Sequence, residues 1–300
     1  MKSNPFIDII RFLLIVLLTG GLISCGGGKK DETAQSSEFD EAASEVQQKV
    51  EKVIYEIPTP SEIPFIIEST GADYNEDLVN DISKVDKYLS SNKIAALNLG
   101  IYATDIGYFV TYDQVQEALN YMDGCQRIAE QLGIQNVVDA AVIKRFEDNL
   151  QSRDTLGNII NQIINNSDTY LKESDRNNIA ALVLAGTFIE GLYISTQLVE
   201  TYPKDILPDD ARNLILTPVI QLILDQEEAL ADMIDLLKNI DIKGDWIEGL
   251  INSLEELKRK YEELDIKEQL SNNRADLVLT DATLERITKQ INRIRTTMVY

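Results

Sequence analysis

The sequence predicts an all-α fold, a multi-helix bundle or helix-hairpin array, on three observations. Apolar residues recur at steps of three and four, few runs alternate with period two, and valine-rich strand-like segments are missing. Phe39, Ala43, Val46, Val50, Val53 and Ile57 set the first stripe and predict an amphipathic helix. Pro58, Pro60 and Pro64 lack a backbone donor, so "IPTPSEIPFIIESTG" is expected to form a turn with a short apolar segment laid on the domain. Leu78, Ile82, Val85 and Leu89 space as another helix stripe. An apolar helix follows from about Lys93 to Tyr112, and another from Gln114 to Leu132 stops at Gly133, a C-cap residue. Helices are expected near 136–150, 154–171 and 176–201, with Pro203 and Pro208 punctuating what comes next. Asp209 and Asp210 are placed to cap a helix beginning at Ala211, and Pro218 either kinks it or starts a new one reaching Ile240. Trp246, Leu250, Leu254, Leu257, Tyr261 and Leu264 define the next helix, and Leu284, Ile287, Ile291, Ile294 and Met298 the last.

Two of these helices look related. Residues 94–111, "IAALNLGIYATDIGYFVT", align without a gap against 179–196, "IAALVLAGTFIEGLYIST", with seven identities in eighteen. The alignment pairs Asp105 with Glu190 and Tyr108 with Tyr193, and suggests a duplicated unit at the centre of the domain. Leu99, Gly100, Gly107 and Phe109 resemble the small-and-large spacing of tetratricopeptide helices over barely one repeat, departing from it at Tyr112 and Gln116. That resemblance implies a helix-hairpin array with peptide-binding capacity. The second aligned helix is long enough to span a bilayer, but a charge at Glu190 near its middle would cost about 2.5–3.5 kcal/mol on insertion scales. A buried helix in a bundle is expected instead.

The N-terminus carries an address. Lys2 and Arg11 precede a continuous apolar run from Phe12 to Leu18, which loosens through Thr19, Gly20 and Gly21. This is the three-part build of a secretory signal, and its apolar middle is shorter than the roughly 20 residues of a spanning helix. Leu22-Ile23-Ser24-Cys25 then resembles the bacterial lipobox, which implies cleavage after residue 24 and acylation of Cys25. The acyl-chain methylenes, at about 0.8 kcal/mol each, would hold the protein to a membrane. Gly26, Gly27 and Gly28 form a flexible spacer. Lys29, Lys30, Asp31 and Glu32 are similar to the export signal that follows the acylated cysteine in Bacteroidota surface lipoproteins, and they equally suit a solvated tether that continues through residues 33–38. Gly26 stands where enteric bacteria place a retention aspartate, which favours the outer membrane, on its periplasmic side or at the cell surface. The expected organisation is a signal peptide over 1–24, a tether over 25–38 and a helical domain over 39–300.

Composition narrows the chemistry. The 28 basic residues against 50 acidic ones give a net charge of −22, which argues against nucleic acid as a partner. There is no histidine, so Ser-His-Asp and Cys-His hydrolysis, HExxH metalloproteases and Glu-x-x-His di-iron sites are excluded. With Cys25 acylated, Cys125 would be left alone, on the stripe Leu119, Met122, Cys125, Ile128 and Leu132, where a small buried apolar residue is expected. No cofactor or metal is called for. "DYNEDLVNDISK" begins like a calcium loop with Asp73, Asn75 and Asp77, but Leu78 replaces the sixth-place glycine and Lys84 the final glutamate. It is better taken as a helix start with an acidic first turn.

Asp105 and Glu190 stand out because each interrupts an apolar helix. A buried carboxylate must be paired, hydrogen-bonded or protonated. Should the two helices be neighbours, these acids face one another with Tyr108 and Tyr193 one turn away as donors. Glu255 with Arg259 and Glu256 with Lys260 are spaced to support a solvated helix face. Arg286, Lys289, Arg293 and Arg295 concentrate positive charge near the C-terminus, for docking on acidic helices, for a partner or for helix-end stabilisation. The leading expectation is an envelope lipoprotein, similar to the helical lipoproteins of Bacteroidota, with a membrane anchor and a protein or peptide partner. The alternative is a carboxylate-based, glycan-acting enzyme using Asp105 and Glu190.

Overall fold

A computed structural model of the chain describes residues 44–53, 56–58, 62–135, 138–170, 174–203, 208–263 and 282–299. The described elements are helices, with no strand among them. In chain order they are α1 (residues 44–53), α2 (Glu62–Glu68), α3 (Val85–Tyr88), α4 (Asn92–Thr111), α5 (Val115–Gln131) and α6 (Ala140–Glu147). Then come α7 (Arg153–Tyr170), α8 (Ser174–Thr201), α9 (Asp209–Leu224), α10 (Gln226–Asn239), α11 (Asp245–Glu262) and α12 (Ala282–Val299). They belong to one compact unit beginning at Ala43.

The centre is the pair α4 and α8. Every residue of α4 from Ala95 to Thr111 is buried, so this helix has no polar face, as an all-round apolar helix in a protein interior should not. Around the pair, α5 and α7 pack on α4; α9 and α12 pack on α8; α11 bridges α12 to α10. Both central helices are long and apolar enough to cross a membrane, and 94% of each apolar window is buried against the rest of the protein. The two helices aligned in the sequence are thus direct packing partners at the core.

They touch at glycines. A Cβ added at Gly186 would lie 2.0 Å from the Leu97 carbonyl oxygen, and one at Gly100 would lie 2.0 Å from that of Val183. The backbones therefore meet without intervening side chains. Thr104 and Thr111 fold their hydroxyls back to Gly100 and Gly107 carbonyls, 3.1 and 3.0 Å away, so these two groups are satisfied within the helix.

Helix ends follow local chemistry. Gly133, at φ +69°, closes α5 as a Schellman motif: its N–H donates to Glu130 and that of Ile134 to Ala129. Asp139 caps α6 by accepting from Val142 N–H at 2.8 Å. In the proline-rich stretch the expected turn is instead a helix over Glu62–Glu68. Pro64 sits in its first turn, where N–H groups have no intrahelical acceptor, so the ring costs no hydrogen bond.

Three other expectations are corrected. Leu78, Ile82, Val85 and Leu89 do not lie on one helix: two 3-10 turns, Glu76–Leu78 and Ile82–Lys84, precede the four-residue α3. Asn75 and Asp81 accept backbone N–H groups two residues on, and these side-chain turns outcompete a continuous helix. Second, α9 begins at Asp209, with Pro208 at its cap, and it runs through Pro218 to Leu224. The carbonyl left without its helical donor belongs to Leu214, which is 76% exposed, so solvent reaches that turn. Third, Glu256 pairs with Lys260 at 3.0 Å as spaced, but Glu255 turns to Lys238 of α10 at 2.6 Å rather than to Arg259.

The glycine crossing yields a prediction. Gly186→Ala or Gly100→Ala must push α4 and α8 apart, and each should lower stability by about 3 kcal/mol, the upper end of overpacking costs. Urea unfolding followed by circular dichroism measures this; a change within 0.5 kcal/mol, roughly the scatter of surface substitutions, would contradict the close approach.

Candidate functional site

The polar centre is assembled on the apolar pair. Asp105 of α4 and Glu190 of α8 are both fully buried. Arg295 of α12 reaches Glu190 through two hydrogen bonds, Nε to Oε2 at 2.9 Å and Nη2 to Oε1 at 2.7 Å. The same Nη2 also donates to the Leu78 carbonyl at 3.3 Å. The guanidinium carbon lies 4.2 Å from the centroid of the Tyr193 ring, a cation–π contact. Asp105 Oδ2 accepts the Asn80 N–H at 3.1 Å, while Oδ1 has no donor.

Two acids and one cation in an apolar interior cannot all be charged without leaving one charge uncompensated. The fork geometry of Arg295 commits it to Glu190. Burial, then the Glu190 charge, push the Asp105 carboxyl well above the usual carboxylate range, against the smaller opposing pulls of Arg295 and the Asn80 N–H. Asp105 therefore keeps its proton. A hydroxyl on Oδ1 supplies a donor toward Glu190, which accounts for an oxygen otherwise stranded. The assembly is an ion pair with a neutral acid beside it.

A second polar layer holds the irregular segment 69–84. Tyr102 donates to the Asp81 carbonyl at 3.0 Å, Tyr121 to Asn80 at 2.8 Å, Tyr112 to Ala72 at 2.9 Å and Tyr202 to Thr70 at 3.0 Å. Tyr108 accepts the Asn75 N–H at 2.9 Å. Asn80 donates to Asn98 Oδ1 at 3.1 Å, and Tyr88 stands 3.1 Å from Asn80 Oδ1 and 3.0 Å from the Val299 carbonyl. Asn98 donates to the Met298 carbonyl at 3.1 Å, so the end of α12 is capped by side chains of α3 and α4. Burial pushes the Tyr88 and Tyr108 phenols up to about 12, and they stay protonated through the neutral range.

The helices that carry Asp105 and Glu190 are neighbours, and the Glu190 charge acts on Asp105. Their tyrosines do different work from that expected: Tyr108 is bound to Asn75, and Tyr193 lies under Arg295. Spacing on a helix fixes the face but not the partner, and the backbone of segment 69–84 takes the Tyr108 hydroxyl. The missed member is Arg295 as the counter-ion. Its signal was in the sequence, because Arg295 falls four residues after Ile291 and three before Met298, on the apolar side of the last stripe. Of its companions, Arg286 bonds Glu263 at 2.9 Å and Lys289 bonds Glu285, both at the surface. Cys125 is buried as expected, and burial pushes its thiol up, away from nucleophilic use. Cys25, Lys29, Lys30, Asp31 and Glu32 lie outside the described residues.

A cleft of about 530 Å³ opens between α2, α4 and α7, lined by Phe65, Glu68, Val110, Thr111 and Arg153 among others. Arg153 crosses it, donating to Asp113 and, at 2.6 Å, to Glu68. Neither Asp105 nor Glu190 lines this cleft. Both acids are fully buried in the described structure, and Glu190 is already engaged by Arg295.

Two substitutions test the charge assignment. Arg295→Met leaves Glu190 uncompensated and should cost about 3–5 kcal/mol. Asp105→Asn keeps an acceptor for Asn80 and a donor for Glu190, so it should fold normally. Asp105 has a raised folded pKa, so the folded state binds the extra proton above pH 3.8 and loses stability as pH rises. The Asn variant lacks this loss: its stability relative to the parent should climb between pH 4 and pH 8 in urea titrations, and a flat difference would show Asp105 ionised. Comparison with protein-family models, curated proteins and solved structures finds no match to this chain, so its function must be read from its own residues.

Proposed function

We propose that the chain is an acylated lipoprotein of the bacterial outer membrane whose helical body has a binding or structural role. The observation that carries this is the lipobox-like Leu22-Ile23-Ser24-Cys25 after a short apolar segment and before a glycine tether. The absence of histidine, and a central pair of buried acids of which Glu190 is engaged by Arg295, support a role without turnover at that pair. A net charge of −22 gives no electrostatic attraction to an anionic lipid face, so the acyl chains must do the holding. The partner in this reading is a protein or peptide of the envelope.

Expression in a bacterial host with radiolabelled palmitate tests the anchor. The full-length chain should incorporate label and partition into the detergent phase on cloud-point extraction. Cys25→Ser should lose the label and move to the aqueous phase. An unacylated thiol at Cys25 in membrane-extracted protein, shown by mass spectrometry, would overturn the proposal.

A further inference from the structure

A second carboxyl pair lies where α1 meets α10. The apolar face of α1, Val46, Val50 and Val53, is buried together with Ile57, and charged side chains flank it. Lys49 stands 2.8 Å from Asp235 and 3.1 Å from Glu45. Lys52 donates to Asp232 Oδ1 at 2.8 Å, lies 2.6 Å from its Oδ2, and is 3.7 Å from Glu56. Glu56 Oε2 and Asp232 Oδ2 are both shielded from solvent; the Lys52 ammonium stands against Oδ2, whereas Oε2 has no donor. A stranded oxygen on Glu56 is what a dissociated carboxyl would leave, and a proton on it turns it into a donor toward Asp232.

We propose that Glu56 and Asp232 share a proton, and that this proton latches the first helix to α10, weakening the docking when it leaves. Of the groups facing Glu56, all but Lys52 act in one direction. Its hydrogen bond to Asp232, then burial, then the Asp232 charge push its carboxyl up to about 7; Lys52 opposes and Glu228 adds to the rise. Against its own desolvation, Asp232 is held below the usual range by hydrogen bonds from Glu56 and Lys52. Lys49, Glu45 and Asp235 form their own set beside it.

The sign follows from proton binding. An undocked Glu56 titrates near 4.5 and a docked one near 7, so its contribution to docking is complete below pH 4.5 and is lost as pH rises through 7. Between pH 6 and pH 8 the equilibrium should shift about tenfold toward the undocked helix. Unlike the buried pair of Asp105 and Glu190, these side chains keep about a fifth of their surface exposed, so solvent protons reach them.

Hydrogen exchange of the full chain, corrected for intrinsic rate, measures this. Protection of amides 44–53 should fall about tenfold from pH 6 to pH 8 while that of α8 holds. Glu56→Gln puts an amide donor in place of the shared proton, and Asp232→Asn supplies a donor from the other side; either should flatten the dependence. Equal protection of 44–53 at both pH values in the parent, or a tenfold fall that persists in both variants, would overturn the latch.

Discussion

Glu190 and Arg295 are 105 residues apart in sequence and joined by two hydrogen bonds in an apolar interior. That pairing sets terms for everything near it. A carboxylate cannot be buried in α8 unless a cation is delivered to it, and α12 is the element that delivers one. Once Arg295 is committed to Glu190, Asp105 has no counter-ion and must remain neutral. Once Asp105 is neutral, its second oxygen is free to take the Asn80 N–H, which pins segment 69–84 to α4. The register of α4, α8, α12 and an irregular loop is therefore fixed through three side chains. An all-apolar substitute of equal volume would pack as well, but would allow sliding that the fork geometry forbids.

The tyrosines extend this logic to the backbone. Segment 69–84 lies against the central helix without a continuous helix of its own, so its carbonyls need donors that water cannot readily supply. Phenols on α4 and α5 and just past the ends of α4 and α8 reach across with rigid, amphipathic side chains, spending one hydroxyl on each carbonyl. Rings of Tyr74, Tyr108 and Tyr112 then pack on one another, with centroids 4.9 to 5.9 Å apart. Tyr108 and Tyr112 belong to the polar network and to the aromatic cluster at once.

Elements governed by local signals were legible in the sequence. The helices α4, α5, α7, α8, α11 and α12 follow from apolar spacing, and the end of α5 follows from a glycine that alone tolerates the left-handed backbone of a Schellman motif. What failed did so for identifiable reasons. Pro64 looked like a breaker because proline's cost depends on whether it falls in the first turn, which spacing does not reveal. Leu78 to Leu89 has helical periodicity, but Asn75 and Asp81 compete for the backbone. At the site, the charge interruptions Asp105 and Glu190 were visible as anomalies. Their cation was hidden among four basic residues of one helix, and only its place on the apolar stripe distinguishes Arg295.

The position of that cation has a consequence for synthesis. Arg295 leaves the ribosome after every helix it neutralises, and the carbonyls of Met298 and Val299 that meet Asn98 and Tyr88 come later still. Until then Glu190 has no counter-charge and α8 is poorly served by burial, so the nascent chain has a reason to stay loose until its final turn is made.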